Sequence, residues 1–193
     1  MDQIQRFRAI ITDKNKPLDD ERFRSFSSVY NKYACQQPID LIAIANELGL
    51  EVFTSSSMDK DESGVIRFNR DKNTYKIYIN EKHSPKRKRF TLAHEIAHYI
   101  CDKDYLEAYG EIVESKECIR SLNRIGGSVP DSDMVWRDIR ANRFAAELLM
   151  PLSPFITIWD KAASIEDVAN AFNVSTHAAK VRAETLLGQI VEQ

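Results

Sequence analysis

Apolar residues recur along the chain in two periods, and the changes between them divide it into elements. "PIDLIAIANELGLEVF" places Leu41, Ile44, Ala45 and Leu48 at helical spacing. Gly49 then stops the helix and "LEVF" begins a strand. "GVIRF" and "TYKIYIN" alternate with period two around the turn residues of "NRDKN", which predicts a hairpin. The "TYKIYIN" strand is a candidate edge on which an extended peptide could add a strand. Ser84 and Pro85 form an N-cap and first-turn pair for a helix through "FTLAHEIAHYI". "YLEAYGEIVESKECIRSLNR" reads as weakly helical, "GGSVPDSD" as a loop, and "MVWRDIRANRFAAELLM" as a strong helix ending at Pro151.

The two ends are helical as well. The first 35 residues are polar and loosely amphipathic, broken at Pro17, with "LDDERFRSFSSVYNKYA" the clearer half. In the tail, Ser164 caps a helix with apolar spacing at Ile165, Val168, Ala169 and Phe172. "NVS" breaks it before a second helix, the outline of a helix-turn-helix or of a plain helical hairpin. These elements predict an α+β protein, mainly helical, with a small antiparallel sheet beside the helix of "AHEIAH" and a C-terminal hairpin resembling a helix-turn-helix. The expected organisation is a helical lead-in over 1–36, a core over 37–160 and the helical hairpin over 161–193.

Composition narrows the class. The 193 residues are 43% hydrophobic and 29% charged, ordinary for a folded soluble chain. No apolar run approaches the roughly 20 residues needed to cross a bilayer, and the amino terminus is charged throughout, so a cytoplasmic protein is expected. Cys35, Cys101 and Cys118 lack paired spacing, which argues against a disulfide framework. A net charge of -2 speaks against a protein built mainly to grip nucleic acid. The run Lys86 to Arg89 remains either a local attractor for acidic partners or a solvated basic face.

Chemistry concentrates at His94 and His98, four positions apart with Glu95 between them. At about 100° per residue the two imidazoles lie within about 40° of each other, away from Leu92, Ala93, Ile96, Tyr99 and Ile100. Imidazoles at i and i+4 converge on one zinc ion, and a glutamate beside them can act as general base toward water in amide hydrolysis. Three protein ligands with an open fourth position make a catalytic site, so a third ligand is required. Helix phase singles out Asp138, which shares a face with Ala141, Asn142, Ala145 and Leu148. Arg140, Arg143 and Glu147 fall on the opposite side, where Glu147 needs only water. A carboxylate in an apolar stripe asks for a cation: a metal, or an arginine such as Arg87 or Arg89. Glu111, Glu114 and Glu117 are the alternative acids.

Cys101 lies three residues after His98 and within about 20° of the direction of His94 if the helix continues that far. It is either a buried packing residue or a fourth, inhibitory ligand whose thiolate would close the site until displaced or oxidised.

Four stretches, "PIDLIAIANELGLEV", "RFTLAHEIAHYI", "DIRANRFAAELLMP" and "VANAFNVSTHAAKVRAETLLG", resemble the ImmA/IrrE metallopeptidases, gluzincin-like zinc proteases of bacteria and phages. The resemblance covers roughly residues 38 to 188. It implies zinc held by His94, His98 and Asp138, with Glu95 as general base; the family typically has glutamate where this chain has Asp138. It further implies an intracellular endopeptidase that cleaves a specific protein, a helix-turn-helix repressor encoded nearby. Cleavage would relieve repression of genes for DNA-damage response, mobile-element transfer or phage defence. Nucleic acid would enter only as an activating signal, and no membrane is involved. The competing expectations are a DNA-binding regulator acting through residues 164 to 188, or a toxin-antitoxin component, with a structural metal.

Overall fold

A computed structural model describes residues 1–12, 20–115 and 132–191. The "GGSVPDSD" stretch, Cys118 and Glu117 lie wholly or largely outside the described residues. Two helices open the chain, α1 (Gln3–Ile11) and α2 (Asp20–Tyr33), α1 entered through a reciprocal capping box between Asp2 and Gln5. They are followed by α3 (Leu41–Glu47) and strands β1 (Leu50–Ser55), β2 (Glu62–Asn69) and β3 (Thr74–Asn80). Next comes α4 (Pro85–Cys101), capped by the Ser84 hydroxyl with Pro85 in its first turn, as the sequence predicts. The remainder is α5 (Lys103–Tyr109), β4 (Glu111–Ser115), α6 (Ser132–Leu149), α7 (Leu152–Trp159), α8 (Ile165–Ala171) and α9 (Thr176–Val191).

The α+β expectation holds, but the sheet is mixed, in the order β1-β3-β2-β4. The predicted hairpin pairs Ile66 with Ile77, and β4 lies antiparallel on the other side of β2. Because β1 joins the sheet beside β3 rather than beside its chain neighbour β2, two reversals separate the pair and it runs parallel. "TYKIYIN" is therefore an interior strand; among the described residues the edges are β1 and β4. The weakly helical reading of residues 105–124 is corrected in part. Gly110, at φ 87, ends α5 in the left-handed conformation, and "EIVES" then pairs as β4.

Helix α4 lies between the sheet and α6 and is buried on every side from Thr91 to His98. The amino-terminal helices pack into the same core: Phe7 of α1 meets Phe26 of α2 edge-on at 5.1 Å and Phe144 of α6 at 4.8 Å. Val168, Phe172, Ala179, Ala183 and Leu186 carry α8 and α9 into it too. The basic run at the start of α4 is half-buried, and three of its four side chains make tertiary contacts. Lys86 donates to Asn170 Oδ1 of α8, Arg87 to Ser63 Oγ of β2 and Arg89 to the Ile39 carbonyl.

Candidate metal centre

His94 and His98 leave α4 on the side that faces α6, one turn apart, both fully buried. A buried imidazole needs partners, and the Nδ1 atom of each ring has one. His94 Nδ1 lies 3.0 Å from Asn142 Oδ1 and His98 Nδ1 lies 2.8 Å from Asp102 Oδ2. Both partners are acceptors, so each neutral ring keeps its proton on Nδ1 and presents a lone pair at Nε2. The two Nε2 atoms face each other at 2.9 Å.

Asp138 completes the cluster. Its Oδ1 lies 3.7 Å from the Nε2 atom of both rings, while its Oδ2 is buried without a hydrogen-bond partner. His94, His98 and Asp138 thus bring two nitrogens and a carboxylate oxygen within 4.8 Å of one another, all buried. Facing lone pairs and a carboxylate repel unless a positive charge stands among them. Burial lowers the His98 pKa, but hydrogen bonds to Asp102 and Asp138 outweigh it and push it up to about 9. Burial raises the Asp138 pKa, and the two imidazoles more than reverse this, holding it well below the carboxylate range. The donor set of two imidazole nitrogens and one carboxylate oxygen fits zinc with a fourth position left over. The arginine alternatives for Asp138 fall away, since Arg87 and Arg89 are engaged elsewhere.

Glu95 points from α4 toward the sheet. Strand β2 passes so close that a Cβ on Gly64 would come 2.9 Å from Glu95 Oε1 and 2.4 Å from Thr91 Cγ2. Glycine is the residue that lets β2 backbone lie against the carboxylate. Cys101, at the end of α4, packs half-buried against the core and does not join the convergent group. Burial and then the charge of Asp102 raise its pKa and keep it a thiol. Of the alternative acids, Glu111 is exposed and paired with Arg67, and Glu114 lies in β4 opposite Gly64.

The expectation that Glu147 needs only water is wrong. It is 1% exposed, accepting from Gln3 and Arg6 of α1 and from Arg182 of α9. Its face does oppose that of Asp138, as phase predicts, but α1 and α9 cover that side. The sequence pattern gave no role to Asp102, Arg137 or Asn142, and it set Arg140 on the far side with Glu147, whereas the long Arg140 side chain reaches back to Asp102. Asn142 follows Asp138 by one turn and Asp102 follows His98 by one turn, so the i, i+4 spacing that identified the histidines contained both.

No curated protein matches the chain. A solved structure titled as a Mycobacterium tuberculosis transcriptional regulator is similar in fold, with a TM-score of 0.54 at 14% identity. The similarity covers 95% of this chain and 52% of that one, so this chain spans about half the length of its structural relative. The peptidase M78 family, described as the IrrE N-terminal-like domain, matches residues 45–117 and 127–184. That span takes in α4 with His94, Glu95 and His98, and α6 with Asp138, and it exceeds half the chain: the protein belongs to the peptidase M78, IrrE N-terminal-like family.

Proposed function

We propose that the chain is a zinc-dependent endopeptidase acting on a specific protein, with His94, His98 and Asp138 as the metal ligands and Glu95 as the general base. The observation that carries this reading is the buried convergence of two imidazole nitrogens and one carboxylate oxygen around a point that requires positive charge. Zinc bound there supplies Lewis acidity toward a peptide carbonyl and a nucleophile near neutral pH. The chain's own residues do the rest. Asn142 and Asp102 keep both Nε2 lone pairs turned inward. Glu95, on the turn of α4 between the two ligands, accepts the proton of an attacking water and returns it to the leaving amine. Burial of the cluster excludes bulk water and strengthens each charge interaction.

A protein substrate is supported by membership of a peptidase family, and a helix-turn-helix repressor by the resemblance to ImmA/IrrE proteases. On α9, Arg182 turns inward to Glu147 and Ala179 and Ala183 are buried, so that face packs on the core. No helix among the described residues is long and apolar enough to cross a membrane.

The test is elemental analysis of the purified protein, followed by co-expression with a repressor encoded beside it and mass spectrometry of the repressor. One zinc per chain and a single cleavage event are expected. Glu95→Gln should keep the metal and the fold and abolish cutting, because only the proton acceptor is lost. Full cleavage by the Gln variant would remove the assignment of Glu95.

A further inference from the structure

Asp102 stands at the junction of α4 and α5, one turn beyond His98, with its side chain fully buried. One oxygen, Oδ2, accepts from His98 Nδ1 at 2.8 Å. The other, Oδ1, accepts from Arg137 Nη1 at 2.6 Å and from Arg140 Nη2. Those arginines lie on α6 immediately before and two residues after Asp138. Arg137 is itself held from two further sides, by Asp133 at 3.1 Å and by the Tyr105 ring 4.5 Å beneath its guanidinium. A single carboxylate at the end of α4 therefore orients one candidate ligand and grips the helix that carries another.

Two requirements meet in this arrangement. Aspartate reaches only a short distance from its backbone, so α6 must be held close to α4 for Asp138 to meet the two imidazoles. A row of small apolar contacts sets such spacing loosely, whereas charge-assisted hydrogen bonds of fixed direction set it tightly. The tautomer of His98 must also be fixed, and the acceptor at Asp102 Oδ2 fixes it.

We propose that Asp102 is a positioning residue, locked by Arg137 and Arg140 into a clamp that fixes both the His98 tautomer and the approach of Asp138. The inference rests on the metal-binding reading of His94, His98 and Asp138. It makes a specific demand of Asp102→Asn. Both guanidiniums are donors and require an oxygen, so the amide oxygen turns to Arg137 and Arg140 and the amide NH2 faces His98 Nδ1. That ring then carries its proton on Nε2, where a metal ligand needs a lone pair.

The experiment is metal binding by the full chain, measured as competition against a chromophoric chelator for zinc, with the visible absorption of the cobalt-loaded protein recorded in parallel. The parent is expected to take one metal and to give an intense four-coordinate cobalt spectrum. Asp102→Asn should bind about 10- to 100-fold more weakly with an altered cobalt spectrum. Arg140→Gln, which touches no candidate ligand and alters a partly exposed side chain, should weaken binding in the same direction by less. It serves as the second variant should Asp102→Asn fail to fold; circular dichroism identifies that case. A folded Asp102→Asn with parental affinity and spectrum overturns the clamp, as does parental affinity in Arg140→Gln. Failure of the parent itself to take up metal is a different result, and it overturns the metal-binding reading along with the clamp.

Discussion

Removing the Glu147 carboxylate should destabilise the fold more than removing any exposed acid, although Glu147 lies on the side of α6 away from the candidate metal centre. The carboxylate receives Gln3 Nε2 at 2.7 Å, Arg6 Nε at 2.8 Å, Arg6 Nη2 at 3.2 Å and Arg182 Nη2 at 2.7 Å. Arg182 is 5% exposed and also donates to the Met150 carbonyl, so neither guanidinium nor carboxylate can turn to water. Glu147→Ala strands a buried positive charge, a change that costs about 3–5 kcal/mol. At about 2–4 °C per kcal/mol for a chain of this length, the melting temperature should fall by about 6–20 °C. Most of the loss is the abandoned charge rather than the vanished bonds, so Glu147→Leu combined with Arg182→Met should recover part of it. Acid adds a second readout. Burial raises the Glu147 pKa, but Arg6 and Arg182 outweigh it and hold the group below the carboxylate range. With the folded value depressed, its stabilisation is complete above the ordinary glutamate pKa of about 4.3 and is lost as the pH falls through the folded value. Glu147→Gln should therefore flatten the acid limb of the stability profile. Urea and thermal unfolding followed by circular dichroism measure all of these; a loss below about 1 kcal/mol for Glu147→Ala would refute the reasoning, since that is the range of an exposed ion pair.

Three further outcomes follow from the same geometry. Asp138→Ala should strongly lower zinc content measured by elemental analysis, whereas folded Glu147→Ala should retain it; equal content in both would place the third ligand elsewhere. Gly64→Ala should cost about 1–3 kcal/mol by overpacking and should slow cleavage by displacing Glu95. Parental stability and rate would mean that β2 moves aside freely. Cys101→Ala should leave one zinc per chain and an unchanged basal cleavage rate, because the sulfur does not join the convergent group; a rise in basal rate would restore the inhibitory-ligand reading.

What the sequence revealed and what it hid follow from range of interaction. The spacing of His94 and His98 and the phase of Asp138 are properties of single helices, and period alone places them. The hairpin of β2 and β3 is local in the same way, whereas the place of β3 inside the sheet depends on β1, some 25 residues earlier by register. Phase told correctly that Glu147 points away from Asp138. It could not tell what lies there, because the covering side chains, Gln3, Arg6 and Arg182, come from the two ends of the chain. The "KRKR" run was opaque for the same reason: its partners Ser63, Asn170 and Ile39 belong to three other segments. β4 was masked by its length, five residues with three polar side chains, too few for alternation to stand out from a helix.

Helix α6 accordingly has to satisfy two sides at once. Toward α4 it presents Asp138 and Asn142 to the imidazoles and Arg137 and Arg140 to Asp102. Near its far end it presents Glu147 to α1 and α9, with Phe144 one turn earlier set against Phe7 and Phe26. A helix held only at the metal end could tilt about that end and swing its carboxylate by a fraction of an ångström, enough to spoil a site that tolerates about 0.5 Å. The contact to the amino-terminal helices removes that freedom at the other end. The first helices of the chain, polar in sequence and outside the residues matched by the family, thus belong mechanically to the candidate centre. Arg6 and Phe7 of α1 hold α6 at Glu147 and Phe144, without touching a candidate ligand.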